Sequence, residues 1–294
     1  MTGLSGVYAP ICTPFDADED VDLGAFRENL ARYADSGLHG YLALGSNGEN
    51  RSLDEHERLA VLDTVVRHRG EGQTVLAGAT YDAQRPAERF LAAAGDLGAD
   101  FGLVLAPGYF RKLMTDEVLY RYFSSLADGS PLPVLLYNAP AFNGVTLSPQ
   151  LVGRLAKHGN IVGLKDSASS GLEAFLPFQA PDFAVLAGSA NFLLAAMRGG
   201  SPGGTVSLAN SFPTVALRLY EYGRANDDLA AGDAYAEYVT RVNAAISGHY
   251  GVPGVKAAMD LAGYIGGWPR RPLLPLDEEA REGLRAVLET EGLL

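Results

Sequence analysis

Residues 101–137 read FGLVLAPGYFRKLMTDEVLYRYFSSLADGSPLPVLLY and contain two short apolar runs on either side of a helical pattern. The runs Phe101–Ala106 and Pro133–Tyr137 are rich in Leu and Val, which favours buried strands. Between them, Asp116–Ala127 is amphipathic and follows Thr115, a residue type that caps the starts of helices. The stretch therefore predicts a strand, a helix and a second strand, the unit from which parallel sheets are built.

The same unit recurs along most of the chain. Amphipathic patterns such as Leu23–Asp35, Asp54–His68 and Pro86–Leu97 separate further apolar runs. Eight such units in about 210 residues fit a (β/α)8 TIM barrel, which typically has about 250 residues. The predicted strands are Gly6–Cys12, Gly40–Leu44, Thr74–Ala79, Phe101–Ala106, Pro133–Tyr137, Ile161–Lys165, Ala184–Gly188 and Gly204–Leu208.

The main alternative among parallel α/β folds is a doubly wound dinucleotide-binding sheet. That fold would carry a G-x-G-x-x-G turn after its first strand, whereas the turn here is Thr13-Pro14-Phe15-Asp16. After about Ser211 the pattern becomes helical only. We therefore predict a catalytic barrel over residues 1–222 and a C-terminal helical extension over 223–294 that packs on it. The predicted late helices are Pro213–Tyr222, Leu229–Ile246, Pro253–Ala262 and Glu278–Glu289.

Composition limits the classes of function. The 294 residues are 47% hydrophobic, enough for a sizeable core, and the formal net charge of −12 argues against nucleic-acid or anionic-membrane partners. No apolar run is long enough to span a bilayer, and residues 1–10 do not resemble a signal peptide. The single cysteine, Cys12, excludes an internal disulfide and is interpreted as a small buried hydrophobe. We expect a cytoplasmic protein, and because the five histidines lack ligand spacing, we expect no metal site.

The active site of such a barrel forms at the carboxyl ends of its strands. Lys165 follows the apolar run Ile161–Leu164, so its amine is delivered into the barrel, where burial favours the neutral, nucleophilic form. The alternatives are a surface lysine or one paired with Asp166. Tyr137 ends the neighbouring strand and could move protons in the same cavity, or it could be a core aromatic residue.

A third element is the loop Gly45–Glu49. Its two glycines allow close backbone approach, and backbone N–H groups together with Ser46 and Asn47 could bind a carboxylate. The alternative is an ordinary turn between a strand and a helix.

Together these motifs resemble one enzyme family. G-S-N-G-E at 45–49, Y-N-A-P at 137–140 and G-L-K-D-S at 163–167 are similar to the dihydrodipicolinate synthase/N-acetylneuraminate lyase family of class I aldolases. The resemblance continues through residues 187–189, residues 203–210 and the C-terminal helices, so it covers almost the whole chain.

The resemblance implies a role for each matching residue. Lys165 would form a Schiff base with a 2-oxo acid such as pyruvate, and Tyr137 would relay protons. Ser46 and Asn47 would hold the carboxylate, with no cofactor required. Tyr109 would reach across a tight dimer interface towards the neighbouring site, in a homotetramer built from two dimers. The substrate-binding residues expected from the matching segments are Ser46, Asn47, Gly188, Ser189 and Thr205.

Departures from the family pattern concern the second substrate. Phe142 stands where synthases that use aspartate semialdehyde carry an arginine, and Asn47 stands where they have a second hydroxyl residue. The G-S-N-G-E motif, the tail Gly263–Gly267 and Arg270 instead resemble 4-hydroxy-2-oxoglutarate aldolases. Tyr137-Asn138 resembles sialate and sugar-acid lyases. Arg270 is expected either to contact substrate or to anchor the last helices.

The expected function is a class I aldolase that interconverts a 4-hydroxy-2-oxo acid with pyruvate and an aldehyde, with a substrate similar to 4-hydroxy-2-oxoglutarate favoured. Four alternatives stay open. These are a sugar-acid aldolase, a condensing enzyme similar to 4-hydroxy-tetrahydrodipicolinate synthase, a dehydratase, and a non-catalytic sensor of 2-oxo acids.

Overall fold

Eight parallel strands close into a barrel in the computed structural model, which describes residues 3–168 and 171–294. Each strand pairs with the next one in sequence, and the last pairs with the first. The predicted TIM barrel is therefore confirmed. The strands are β1 (Gly6–Ala9), β2 (Gly40–Ala43), β3 (Thr74–Ala79), β4 (Phe101–Leu105), β5 (Val134–Asn138), β6 (Ile161–Asp166), β7 (Ala184–Ala187) and β8 (Gly203–Thr205).

Helices follow the strands and continue beyond the barrel. Several begin at side-chain caps: Asp54 forms a reciprocal capping box with Glu57, and Thr115 accepts a hydrogen bond from the Val118 N–H. The helices are α1 (Leu23–Ala34), α2 (Glu55–His68), α3 (Gln84–Leu97), α4 (Asp116–Gly129), α5 (Pro140–Asn143), α6 (Pro149–Leu155), α7 (Leu193–Arg198), α8 (Pro213–Ala225), α9 (Leu229–Asn243), α10 (His249–Leu261) and α11 (Glu278–Thr290).

The predicted boundaries are wrong at several places. The first predicted strand extends too far, because β1 ends at Ala9 and Pro10 has no N–H to donate. The last predicted strand is also displaced, since β8 ends at Thr205 and residues 207–210 form a helical turn. The helix predicted over Leu229–Ile246 is α-helical only as far as Asn243. Residues Ala244–Gly248 then form a π-helical turn. The division at residue 222 stays a prediction, although α8 runs three residues past it to Ala225.

Apolar side chains form two clusters on opposite sides of the strands. The larger cluster lies between the strands and the surrounding helices. The smaller one takes alternate residues from the strands, as expected for a filled barrel interior, and includes Tyr8, Leu42, Leu76, Leu103, Leu135 and Leu186. Tyr137 belongs to this interior cluster. The strand period therefore points Tyr137 into the barrel.

Cys12 lies just beyond β1 and is 1% exposed. Burial raises the pKa of its thiol to about 12. The interpretation of this residue as a small buried hydrophobe is thereby confirmed.

Within residues 3–168 and 171–294, no helix has the length and apolarity needed to cross a membrane.

Candidate active site

A cavity of about 140 Å³ opens at the carboxyl ends of the strands. It contains six of the eight predicted site residues, contributed by the ends of different strands. Two predicted residues, Tyr109 and Ser189, do not line it. The lining residues are Pro10, Ser46, Asn47, Tyr137, Phe142, Lys165, Ser167, Gly188, Thr205 and Ser207.

Lys165 and Tyr137 face each other across two paired strands. Their Cα atoms are partners in the β5–β6 ladder, and the Lys165 Nζ lies 4.4 Å from the centre of the Tyr137 ring. Lys165 is 3% exposed. In residues 3–168 and 171–294, no carboxylate oxygen lies within 4.0 Å of its Nζ.

The register that creates this pairing depends on a bulge. Val134 pairs with Ile161 and Leu135 pairs with Gly163, so Val162 is an extra residue in β6. If the pairing continued regularly from Val134 and Ile161, Tyr137 would stand opposite Leu164 instead of Lys165. Bulges are frequent beside active sites because they redirect a side chain.

Asp166 does not pair with Lys165, because neighbouring side chains of a strand point to opposite faces. Its Oδ1 accepts a hydrogen bond of 2.6 Å from the Asn138 side chain. The strands β5 and β6 each extend one residue beyond their predicted ends, to the paired residues Asn138 and Asp166. Burial raises the pKa of the Asp166 carboxyl.

The pKa of the Tyr137 phenol is lowered, although burial by itself raises it. The positive charge of Lys165 and hydrogen bonds with Ser46, Ser167 and Lys165 outweigh that burial. The Ser46 Oγ lies 3.4 Å from the Tyr137 Oη. A phenol that ionises easily and contacts an amine is suited to proton transfer.

The loop that carries Ser46 and Asn47 lies between two residues in the left-handed backbone region. Leu44 has φ 60° and Glu49 has φ 50°, and each such non-glycine residue costs roughly 1–3 kcal/mol. The loop is held on both sides, because the Asn50 side chain donates to the Gly45 carbonyl and Thr13 Oγ1 donates to the Gly48 carbonyl. The Asn47 amide donates to the Ser207 hydroxyl.

Thr205 and Gly188 contribute in different ways. The Thr205 Oγ1 is buried and has no hydrogen-bond partner among the residues that the structure describes. A buried hydroxyl of this kind, lining a cavity, is available to a ligand. Position 188 accepts only glycine, because a Cβ there would lie 2.1 Å from the Ser167 Oγ.

Ser189 and Tyr109 occupy other positions. The Ser189 hydroxyl accepts a hydrogen bond from the Asn191 N–H and caps a helical turn, and Ser189 does not line the cavity. Tyr109 follows β4 on a protruding loop, where it is 80% exposed and packs edge-on against Phe110. Within one chain, Tyr109 does not reach the cavity.

Sequence reasoning missed the site residues Ser167 and Ser207, as well as Pro10. Ser167 was detectable, because it completes the G-L-K-D-S motif two residues after Lys165. Ser207 gave a weaker signal, as a hydroxyl shortly after the last strand.

Arg270 uses its side-chain donors within the protein. Its guanidinium binds both carboxylate oxygens of Glu57, the Ser52 carbonyl and the Glu19 carbonyl. These five hydrogen bonds occupy all five N–H groups of an arginine side chain. Of the two expected roles, the structure supports the anchor.

A second cavity of about 470 Å³ adjoins the first and shares Ser46 and Phe142 with it. Its walls include the apolar side chains of Leu105, Val252 and Leu273. Arg51 also lines it and forms a salt bridge of 3.0 Å with Asp82. We refer to this cavity as the outer chamber.

In the part of the chain that the structure describes, no three His, Cys, Asp or Glu side chains lie close enough together to hold a metal ion.

Comparison with known proteins identifies the family. Residues 3–291 match the sequence profile of the dihydrodipicolinate synthetase family. The chain belongs to this family. It is therefore a pyruvate-dependent aldolase or lyase of the class I type.

Individual relatives of this family member differ in substrate. The chain is 31% identical to a 4-hydroxy-tetrahydrodipicolinate synthase of Methanospirillum hungatei, over 97% of this chain and 98% of that one. It is 34% identical to a probable mitochondrial 4-hydroxy-2-oxoglutarate aldolase of Emericella nidulans, over 99% and 97% of the two chains. A prophage protein of the dihydrodipicolinic acid synthase family from E. coli K12, solved in complex with pyruvate, superimposes with a TM-score of 0.91 at 29% identity, over 99% of both chains.

Proposed function

We propose that this enzyme cleaves a 4-hydroxy-2-oxo acid, with 4-hydroxy-2-oxoglutarate as the favoured type, into pyruvate and an aldehyde, and that it catalyses the reverse addition. One observation carries the proposal. The buried Lys165 amine, without a carboxylate partner among the described residues, lies against the Tyr137 ring in a cavity lined by hydroxyl groups. An amine in that setting can act as a nucleophile towards a ketone.

The first step forms the imine. Ser46 and Asn47 hold the substrate carboxylate, and the Thr205 hydroxyl, which has no partner among the described residues, lines the same cavity. Once the Lys165 ammonium has passed a proton to the Tyr137 phenolate, the amine attacks the C2 ketone to give a carbinolamine. Tyr137 then donates a proton to the departing hydroxyl, and loss of water leaves a protonated imine.

The second step breaks the C3–C4 bond. A base removes the proton of the 4-hydroxyl, and Tyr137, in its phenolate form after the dehydration, is placed to do so. The C3–C4 electron pair moves into the imine and produces an enamine, while C4 leaves as an aldehyde. Protonation of the enamine at C3 and hydrolysis then release pyruvate and restore the Lys165 amine.

The outer chamber supplies space for the part of the substrate beyond C4. It adjoins the Lys165 cavity at Ser46 and Phe142. Its Arg51 is a cation that could pair with a distal carboxylate such as that of 4-hydroxy-2-oxoglutarate. Phe142, which stands at the arginine position of the synthases, offers no such charge.

We further propose a homotetramer of two dimers in a reducing, cytoplasmic compartment. The exposed Tyr109 and Phe110 lie on the loop that would cross the dimer interface. Covering them with a second chain would remove exposed apolar surface from water. The compartment is inferred from the single, buried cysteine.

The test is intact-protein mass spectrometry after incubation with pyruvate and borohydride. Wild type should gain the mass of one reduced pyruvate, and Lys165→Ala should gain none. Lys157→Ala, which removes an exposed lysine just after α6, is the matched control and should behave as wild type. Absence of an adduct in wild type, or an adduct in Lys165→Ala, would refute the proposal.

Product counting separates the remaining alternatives. NMR of a reaction with 4-hydroxy-2-oxoglutarate should show two products, pyruvate and glyoxylate. A dehydratase would give a single organic product, and a sensor would bind the ligand with neither imine reduction nor turnover. Exclusive turnover of sugar acids would identify a sugar-acid aldolase.

A further inference from the structure

A buried ion pair connects the Ser46–Asn47 loop to the C-terminal helices. Lys256, on α10, places its Nζ 2.6 Å from the Glu49 Oε1, and the two side chains are 2% and 1% exposed. Neither residue lines the Lys165 cavity. Glu49 is the last residue of the G-S-N-G-E motif, and 207 positions separate it from Lys256 in the sequence.

Both charges have further partners. The Lys256 Nζ donates a hydrogen bond of 2.6 Å to the Trp268 carbonyl and lies 4.5 Å from the centre of the Phe15 ring. The Glu49 Oε2 accepts a hydrogen bond of 2.9 Å from the Arg270 N–H. The pair therefore joins three separate segments: the loop after β2, helix α10 and the tail that follows that helix.

Stability alone is a weak reason for such a pair. Taking two charges out of water costs free energy that their attraction does not always recover, and apolar replacements of a buried pair can be neutral or stabilising. Desolvation lowers the pKa of Lys256, although the Glu49 charge opposes that shift. A role in geometry better explains a pair at this place.

The geometry in question is that of Ser46 and Asn47. Their loop lies between Leu44 and Glu49, both in the left-handed backbone region. A non-glycine residue keeps that conformation only where its surroundings hold it. At Glu49 the side chain is held at both carboxylate oxygens, by Lys256 and by the Arg270 N–H.

We propose that Glu49 and Lys256 are positioning residues, which fix the loop so that Ser46 and Asn47 bind the carboxylate of the 2-oxo acid. This inference rests on the proposed function of Ser46 and Asn47. Helix α10 would then influence pyruvate affinity through Lys256, although Lys256 does not line the cavity.

The test compares wild type, Glu49→Gln, Lys256→Met and the double variant Glu49→Met/Lys256→Met. Borohydride trapping over a range of pyruvate concentrations gives a half-saturating concentration and a maximal trapping rate. In each variant we expect the half-saturating concentration to rise at least tenfold, about 1.4 kcal/mol, and the maximal rate to change less than threefold. Arg285→Gln, which breaks an exposed pair with Glu282 on α11, should leave both values unchanged.

The double variant separates positioning from folding. The double variant removes both charges, so it leaves no unpaired charge in the interior. Its melting temperature should therefore stay closer to that of wild type than the melting temperature of either single variant, while its half-saturating pyruvate concentration remains high. A stable double variant with wild-type pyruvate affinity would overturn the positioning role and leave the Schiff-base proposal intact. No trapping in wild type would overturn both.

Discussion

Tyr137 and Lys165 are directly paired across β5 and β6, with the amine nitrogen 4.4 Å from the centre of the ring. This pairing depends on the bulge at Val162, because regular pairing from Val134 and Ile161 would place Leu164 opposite Tyr137. A slip of one residue would direct one of the two side chains to the outer face of the barrel, because strand side chains alternate. The local irregularity of β6 therefore creates the contact on which the proposed chemistry depends.

Tyr137→Phe should slow imine formation by about 10²-fold or more, since it removes a proton donor from the reaction. Rapid-quench trapping with pyruvate and borohydride measures that rate. Tyr120→Phe, on α4, serves as the control and should keep the wild-type rate. Equal trapping rates in Tyr137→Phe and wild type would exclude Tyr137 from proton transfer before the imine.

Lys165→Met should raise the pKa of Tyr137. In the wild type, burial raises this pKa, but the Lys165 charge and the hydrogen bonds lower it below the ordinary value of about 10. With the charge removed, burial remains and the phenol ionises at higher pH. An ultraviolet difference titration of wild type against Tyr137→Phe should show a tyrosinate step below pH 10, and this step should move to higher pH in Lys165→Met. Persistence of that step in Lys165→Met would contradict the assigned cause.

Gly188→Ala should abolish pyruvate trapping and destabilise the fold. Its Cβ would lie 2.1 Å from the Ser167 Oγ and 2.4 Å from the Asp166 carbonyl oxygen, which is backbone and cannot easily move. We expect a loss of about 1–3 kcal/mol from overpacking. Gly129→Ala is the matched control, because no atom lies within 4 Å of its added Cβ. Thermal unfolding of both variants measures the difference, and equal melting temperatures would contradict the steric role.

Phe142→Arg should alter the choice of aldehyde and little else. Phe142 is 65% exposed, so the change in unfolding free energy should stay within about 0.5 kcal/mol. The new charge at the edge of the outer chamber should favour aldehydes that carry a carboxylate over neutral ones of similar size. Competition between such a pair, followed by NMR, measures the ratio, and an unchanged ratio would place the second substrate elsewhere.

Arg270→Lys should lower stability without changing substrate preference. A lysine has three donors in place of five and cannot reproduce the paired bonds to Glu57. We expect a loss of roughly 2 kcal/mol, measured by urea unfolding. Substrate ratios should match those of wild type, and a selective loss for one substrate would instead indicate direct contact.

Periodicity and strand ends were sufficient to predict the barrel and, within its cavity, Lys165, Tyr137, Ser46 and Asn47. Gly188 and Thr205 were expected only from the family resemblance. Lys165 follows an apolar run, and Tyr137 lies at the end of the preceding strand. These two facts place both side chains at the carboxyl end of the barrel without any knowledge of packing. The exact register between β5 and β6 could not be predicted in this way. An apolar pattern with a period of two does not record whether β6 contains a bulged residue such as Val162.

Other features depend on contacts between distant segments. Nothing near Glu49 in the sequence indicates that Lys256 neutralises it, because the contact exists only after α10 packs on the barrel. Ser189 was misplaced for a related reason. A hydroxyl just after a strand can either face the cavity or cap the next turn, and the choice depends on the backbone of residues 189–192.

The burial of Cys12 has a practical consequence for spectroscopy. Its thiol, with a pKa of about 12 and 1% exposure, should be inert to maleimides at neutral pH. A cysteine introduced at the exposed Leu113 would therefore be the sole reactive thiol, without prior mutation of the native one. In the proposed homotetramer, a spin label at that position would report the distance between the protruding loops of neighbouring subunits in solution.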